Sequence, residues 1–378
     1  MTAIEYVEIR SGANREIIGI VDTAKSIIWH EVYYGVGDFE IYAPCTPENI
    51  ACLIEGNYVT RYDAPNVGII EHVNPTYDTQ DGRMIVASGR FAKSVLDRRI
   101  IYKRSGKSVS STVIRGNVED AARSLVTQNA INCTFDPGRN IPELTLGPDA
   151  GIAQTIVDEN GNAARKQVTH DNLLTYTDSL LQEFGMGAYC GLNDALKLAY
   201  TVFAGVDRSI DNKAGNSPVI FSQDFDNLLS SNYLYDTSGV KNTALIGGSG
   251  EGTARYHTVI KNASVTGLAR REMFVNASSH SKTYTDDDGV EQTIADDEYD
   301  VQLKTLGLQE LAQHKIVETF DGAIDLTNGS FVYGRDFFLG DIVTVQDVEI
   351  GLYINPRILE ITEVYDDDGY QISAVYGK

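Results

Sequence analysis

The chain has only four cysteines in 378 residues, Cys45, Cys52, Cys133 and Cys190, and no two stand as a CxxC pair. So sparse a set excludes a disulfide framework and points to folding in a reducing cytosol. Its six histidines, His30, His72, His170, His257, His280 and His314, are scattered without HExxH or any other metal-ligand spacing. They read as core or surface residues, and neither a metal nor another cofactor is expected. The single tryptophan, Trp29, follows apolar Ile27 by two positions, which suits core packing better than a sugar-binding platform. No uninterrupted apolar run is long enough to span a bilayer, and Met1 to Arg10 lacks the basic start and apolar core of a cleaved signal. The expectation is a protein made in the cytoplasm without a signal peptide or transmembrane segment, which reaches the outside of a cell by a route such as lysis. Positive charge is scarce too: 31 lysines and arginines face 53 carboxylates, a formal charge of −22. Such a surface repels phosphates and anionic headgroups, so stable nucleic-acid or membrane binding is disfavoured. The local basic stretch Arg98, Arg99, Lys103, Arg104 and Lys107 reads as a solvated rim or an internal pairing surface, with an acidic partner as the alternative.

Catalytic signatures are missing as well. There is no GxSxG elbow and no cysteine near a histidine in a thiol-hydrolase pattern, so no catalytic residue is nominated. The run from Gly247 to Gly252 lacks the Lys-Ser/Thr of a P-loop and precedes a strand-like segment, so it reads as a glycine-rich strand connection. Carboxylates do gather at Asp158-Glu159-Asn160-Gly161-Asn162, Asp286-Asp287-Asp288-Gly289 and Asp366-Asp367-Asp368-Gly369. Consecutive aspartates in a hairpin point to opposite sides and cannot all face one calcium ion, so these read as exposed turns. From Ser281 to Asp300 eight carboxylates oppose Lys282 alone, the composition of a solvated loop arm.

What is present is mostly β-type text. Short runs divided by turn residues cover Ile4–Arg10, Glu16–Val21, Ser26–Tyr34, Phe39–Ala43, Tyr58–Tyr62, Val67–Val73 and Met84–Ser88, with Asp81-Gly82 as a hairpin signal. Phe39 and Ile41 alternate with Glu40 and Tyr42, as in a half-buried strand. Similar text spans Ala195–Ala204, Val219–Ser222, Ala244–Ile246, Arg255–Ile260, Ile316–Phe320, Asp341–Val345, Leu352–Val364 and Tyr370–Val375. Helices are expected behind Asn117 and Asp120, over Thr169–Phe184 with Gly185 ending it, and over Tyr299–His314. The class is α+β with β dominant, and the absence of a βα repeat argues against a doubly wound parallel sheet.

Three segments carry a family resemblance. Ile27 to Pro44 contributes Trp29, Tyr33, Gly37, Phe39, Glu40 and Ile41, and Gly89 to Ile101 contributes Leu96, Arg98 and Arg99. Phe221 to Ser278 adds FSQDFDNLLSSNY, NTALIGGSGEGTAR and GLARREMFVNAS in order. With these the chain resembles the tail-associated hub proteins of siphophages, which are similar to the baseplate hub of contractile-tailed phages. The resemblance implies tandem tail-tube β-barrel domains with helix-bearing insertions. The corresponding division is residues 1–104 for an N-terminal barrel, 105–205 for an α+β region of a second module, 206–315 for a β-rich insertion with the acidic loop, and 316–378 for strands completing a barrel. It also implies a structural, non-enzymatic homotrimer at the virion tail tip that gates passage of the tape measure protein and DNA. Its implied partners are the distal tail protein, the tape measure protein and tail fibre or receptor-binding proteins. A peptidase or carbohydrate-binding extension would be a separate polypeptide, and an acidic lumen would ease transient DNA passage. The rival readings are a tail-borne cell-wall or polysaccharide hydrolase and a carbohydrate receptor-binding module.

Overall fold

A computed structural model describes residues 6–79, 82–105, 108–158, 161–285, 290–324 and 331–377. Alternating apolar text becomes strands almost wherever it occurs. The N-terminal stretch forms β1 (Val7–Arg10), β2 (Ile17–Val21), β3 (Ser26–Val32), β4 (Asp38–Pro44), β5 (Tyr58–Thr60), β6 (Val67–Ile69), β7 (His72–Asp78) and β8 (Gly82–Arg90). The expected Val67–Val73 strand is thus two strands. A short helix α1 (Pro47–Cys52) follows β4; the Thr46 side chain accepts from the Asn49 amide and Pro47 opens the first turn.

The middle stretch carries β9 (Lys103–Ser105), β10 (Ser108–Ser110), β11 (Thr112–Arg115), α2 (Val118–Val126), β12 (Leu144–Leu146), β13 (Arg165–Val168), α3 (Leu173–Glu183), β14 (Met186–Leu192) and β15 (Leu198–Ala204). Asn117 caps α2 through the Asp120 amide, and Ala121, Ala122, Leu125 and Val126 are buried, as the sequence predicts. The α3 helix begins later than expected, because residues up to Val168 pair as a strand and Asn172 supplies the cap. Gly185, with φ of 69°, ends it.

Beyond lie β16 (Ile220–Ser222), β17 (Asn232–Asp236), β18 (Thr243–Gly247), β19 (His257–Ile260), β20 (Glu272–Asn276), β21 (Thr283–Thr285), β22 (Glu291–Thr293) and α4 (Asp296–Ala312). The chain closes with β23 (Val317–Ala323), β24 (Thr344–Asp347), β25 (Leu352–Ile354), β26 (Arg357–Asp366) and β27 (Gly369–Gly377). The expected strand Leu352–Val364 is interrupted at Asn355-Pro356, where proline removes a ladder donor.

Eight strands share one antiparallel sheet in the order β17-β23-β27-β26-β3-β4-β8-β7, so β3 from the N-terminal stretch pairs with β26 from the C-terminal one. Within it a unit repeats. The hairpins β3–β4 and β7–β8 are joined through β4 and β8, and the hairpins β17–β23 and β26–β27 are joined through β23 and β27, in the same chain order. Each unit has a smaller sheet at its core, β2-β1-β5-β6 in the first and β16-β24-β25 in the second. Trp29, Phe39 and Ile41 fill the first core, and Phe221, Phe320 and Tyr376 the second. The middle region has its own core around Leu125, Leu180 and Tyr200. An insertion between β17 and β23 packs the sheet β19-β18-β20 on α4 around Ile246, Tyr299 and Leu303. Among the described residues each sheet is open, and none closes into a barrel.

Candidate functional site

Strand alternation gives the eight-stranded sheet a second face, turned away from the cores. Asp38 and Glu40 on β4, Glu360 and Asp366 on β26, Asp321 on β23 and Asp236 on β17 share it by register. Two arginines, Arg90 on β8 and Arg357 on β26, also stand at these alternate positions by register, and Arg357 turns to the Gly340 carbonyl. Cross-strand partners Thr362, His30, Asp38 and Arg90 form one row; His30 Nε2 lies 3.1 Å from Glu360 and Nδ1 3.5 Å from Asp38. The six carboxylates are exposed or half-buried. So acidic a face suits repulsion of polyanions rather than their capture.

The sheet ends in two edges, β7 and β17, each with one backbone side that no strand pairs among the described residues. Because every pair in the eight-stranded sheet is antiparallel and the strand number is even, the two edge strands run in opposite directions. Brought side by side between copies, they would pair antiparallel, as β3 and β26 do within one chain.

Behind that inner seam the N-terminal, middle and C-terminal parts meet. Tyr33, fully buried, donates from its hydroxyl to the Gly185 carbonyl at 2.8 Å and accepts from the Gly205 amide at 3.1 Å. A Cβ at Gly187 would approach the Tyr33 ring to 2.8 Å and one at Gly340 to 2.2 Å, so glycine is required on both sides. Gly340 also has φ of 89°. Nearby, Arg61 donates to Glu363 at 2.7 Å and to Asp63 at 3.0 Å, while its guanidinium lies 5.4 Å from the Trp29 ring centre. Burial opposes the Arg61 charge, and Glu363 then Asp63 more than offset it, leaving its pKa raised. Glu31 accepts from Tyr333 and Asn66, each at 2.5 Å. Burial lifts the Glu31 pKa above the usual carboxylate value against those two hydrogen bonds, with Glu363 adding to the rise. These groups border a cavity of about 510 Å³ walled by Phe91, Phe203, Phe338 and Leu339. Its charged groups are held within the protein, Arg61 by Glu363 and Asp63, Arg208 by Asp341, Lys93 by Asp178 and Glu31 by Tyr333 and Asn66, so the arrangement is that of a structural joint.

The features singled out in the sequence are dispersed. Arg98 is exposed, Arg99 donates to the Arg139 carbonyl at 2.7 Å, and Lys107 lies outside the described residues. Of the acidic turns, Asp366 to Gly369 is a tight hairpin in which Asp366 accepts from the Asp368 amide at 2.9 Å. Asp286 to Gly289, Glu159, Asn160 and Asp81 lie outside the described residues. Among those described, no cluster of metal-ligating side chains forms. The glycine run is a turn between β18 and β19, with Gly250 at φ of 96° and Gly252 at 55°. Trp29 is core, fully buried against Phe91 and Phe39. The four cysteines are free thiols, and burial pushes Cys190 up to about 12. Sequence reasoning missed the joint, although the pairing of Gly185 and Gly187 was a visible sign of close backbone approach.

The sequence model of a family described as Siphovirus ReqiPepy6 Gp37-like protein matches residues 6–378. Among solved structures, the 43 kDa tail protein of prophage MuSo2 from Shewanella oneidensis is 12% identical, with TM-score 0.55, covering 98% of each chain. A tail protein from Neisseria meningitidis MC58 is 15% identical, with TM-score 0.52, covering 98% of this chain and 96% of its own. At these identities the likeness is one of fold. No curated protein matches the sequence.

Proposed function

We propose that this chain, which belongs to the Siphovirus ReqiPepy6 Gp37-like family of phage tail proteins, is the non-enzymatic hub that closes the tail tube as a ring. The observation that carries this reading is the internal repeat of the eight-stranded sheet. In it β3 corresponds to β17 and β26 to β7, so the seam β3–β26 inside the chain has the same form as a seam β17–β7 between two chains. Heterologous contacts of that kind close into rings. With two four-stranded units per chain, three copies make a pseudo-sixfold ring, each unit acting as one tube-like barrel module. The first unit falls within residues 1–104, whereas the second draws β16 and β17 from residues 206–315 and the rest of its strands from residues 316–378.

In this ring the acidic face lines the lumen, where Asp38, Glu40, Glu360 and Asp321 keep DNA from sticking during transit. The ring admits or blocks the tape measure protein and then DNA. It sits between the distal tail protein and the fibre or receptor-binding proteins, at the virion tail tip.

A double variant, Asn74→Cys with Leu234→Cys, places thiols on mid-strand residues of the two edges. A bifunctional thiol cross-linker of short span is expected to yield covalent trimers and ring-shaped particles. Monomers at every concentration, or cross-links only within one chain, overturn the ring. Turnover of cell-wall or capsular polymer by the purified chain overturns the non-enzymatic reading.

A further inference from the structure

The insertion between β17 and β23 has one packed sheet face and one that is bare among the described residues. On the packed side Ala244, Ile246, Ile260 and Val275 meet α4. On the other side the register aligns Val259, Leu245 and Phe274 in a single row across three strands, exposed by 38%, 41% and 51%. The Arg255 side chain extends this row. It lies where a Gly247 Cβ would stand, 5.4 Å from the Phe274 ring centre, and donates to the Gly247 carbonyl at 2.7 Å. Leu268, on the crossover from β19 to β20, is fully exposed.

Two observations identify what covers this platform. The first is charge: residues 241–280, which supply the three strands of the platform, carry Lys241, Arg255, Lys261, Arg270 and Arg271 against Glu251 and Glu272, a basic excess in a chain of net −22. Its complement in charge is the acidic surface of the chain itself. The second is position. The insertion leaves from and returns to the β17–β23 hairpin, at the free edge of the sheet, and α4 is turned to the chain's own β13 and α3. The bare sheet face therefore looks away from its own middle region.

We propose that this face docks on the neighbouring copy of the chain, against the surface that flanks its β7. The contact rests on the ring reading and deepens it: the platform clamps the seam from outside, so the β17–β7 edge does not carry the interface alone. Antiparallel pairing sets the end of β17, where the insertion departs, beside the start of the neighbour's β7. Glu55 and exposed Ile54 lie near that start, with the Gly56 amide donating to the Ile70 carbonyl. Ile54 offers apolar contact to Leu245 and Phe274, and Glu55 offers a carboxylate to Lys261.

The test replaces Phe274 with photoreactive p-benzoylphenylalanine, an aromatic for an aromatic at an exposed position. Isotope-labelled and unlabelled chains are mixed, assembled and irradiated, and cross-linked peptides are mapped. Mixed-label links from position 274 to residues 47–79 are expected. Phe274→Asp, and Leu268→Asp as a variant without a packed side chain to lose, are expected to weaken self-association at least tenfold while leaving the circular dichroism spectrum unchanged. If the Asn74–Leu234 link forms but position 274 links only within its own chain, to another tail protein or to nothing, the docking proposal falls and the ring stands. If 274 links between chains while Asn74 and Leu234 never do, the platform contact stands and the edge seam falls.

Discussion

The two four-stranded units of the central sheet differ in how the chain supplies them. The first comes from one unbroken stretch, Val7 to Arg90, and its outer hairpin β7–β8 turns within a few residues. The second has its outer hairpin β17–β23 split by 80 residues, Thr237 to Ile316, yet Asn232 to Asp236 still pair with Asp321 to Val317 without a break in register. Loop-closure entropy grows only with the logarithm of length, so an exposed hairpin end can accept a long insertion if that insertion builds a core of its own. This one does, around Ile246, Tyr299 and Leu303. The lesson is that the repeat lies in strand order and pairing, not in spacing along the sequence.

If the units are separate cores, their losses add. Phe39 and Phe320 are both almost wholly buried, one in each core, so alanine at either is expected to cost about 3–5 kcal/mol. The double variant is expected to lose the sum to within about 0.5 kcal/mol in denaturant unfolding. A clear shortfall from additivity would make the two cores one.

The joint is where the comparison is sharpest, because it backs the β3–β26 seam that couples the units. Arg61→Ala leaves Glu363 buried without its cationic partner, with only the Tyr370 hydroxyl still donating to it among the described residues, and is expected to cost about 3–5 kcal/mol. Urea titration by tryptophan fluorescence and by circular dichroism is then expected to give two transitions, since Trp29 reports the first core. Coincident transitions would mean that coupling does not run through this pair.

The smallest effect is one of pH. Glu31 has a raised pKa in the folded chain, chiefly through burial, so the folded state binds its proton more tightly than the unfolded state does. Its contribution is present in full below the ordinary carboxylate pKa and is lost as pH rises through the folded value. Glu31→Gln removes that loss, so its stability relative to the parent is expected to improve as pH is raised from about 4 to 8. A difference that stays constant across that range would show that Glu31 does not titrate this way.

Much of the strand content was legible because burial imposes a period of two, plain in Asp38 to Tyr42. Helix caps were legible where one side chain does the capping, as with Asn117. The α1 helix was missed although Thr46-Pro47 is a start signal, because six residues hold too little periodicity to register. The strand Met186–Leu192 was missed because Gly187 and Gly191 hide its pattern; both are there to admit Tyr33 and the Pro65 carbonyl. The open acidic face could not be read at all. Its carboxylates are drawn from β4, β17, β23 and β26, and only the pairing of β3 with β26 brings those strands together.

The strand count has a consequence of parity. An antiparallel sheet that grows or shrinks by whole hairpins keeps its first and last strands opposed, and such a sheet can always meet a copy of itself in the same sense. A change of one strand would leave both ends pointing alike and spoil the match. Relatives that vary this architecture are therefore free to alter it in steps of two, and a lineage that lost a lone edge strand would have to lose its neighbour as well.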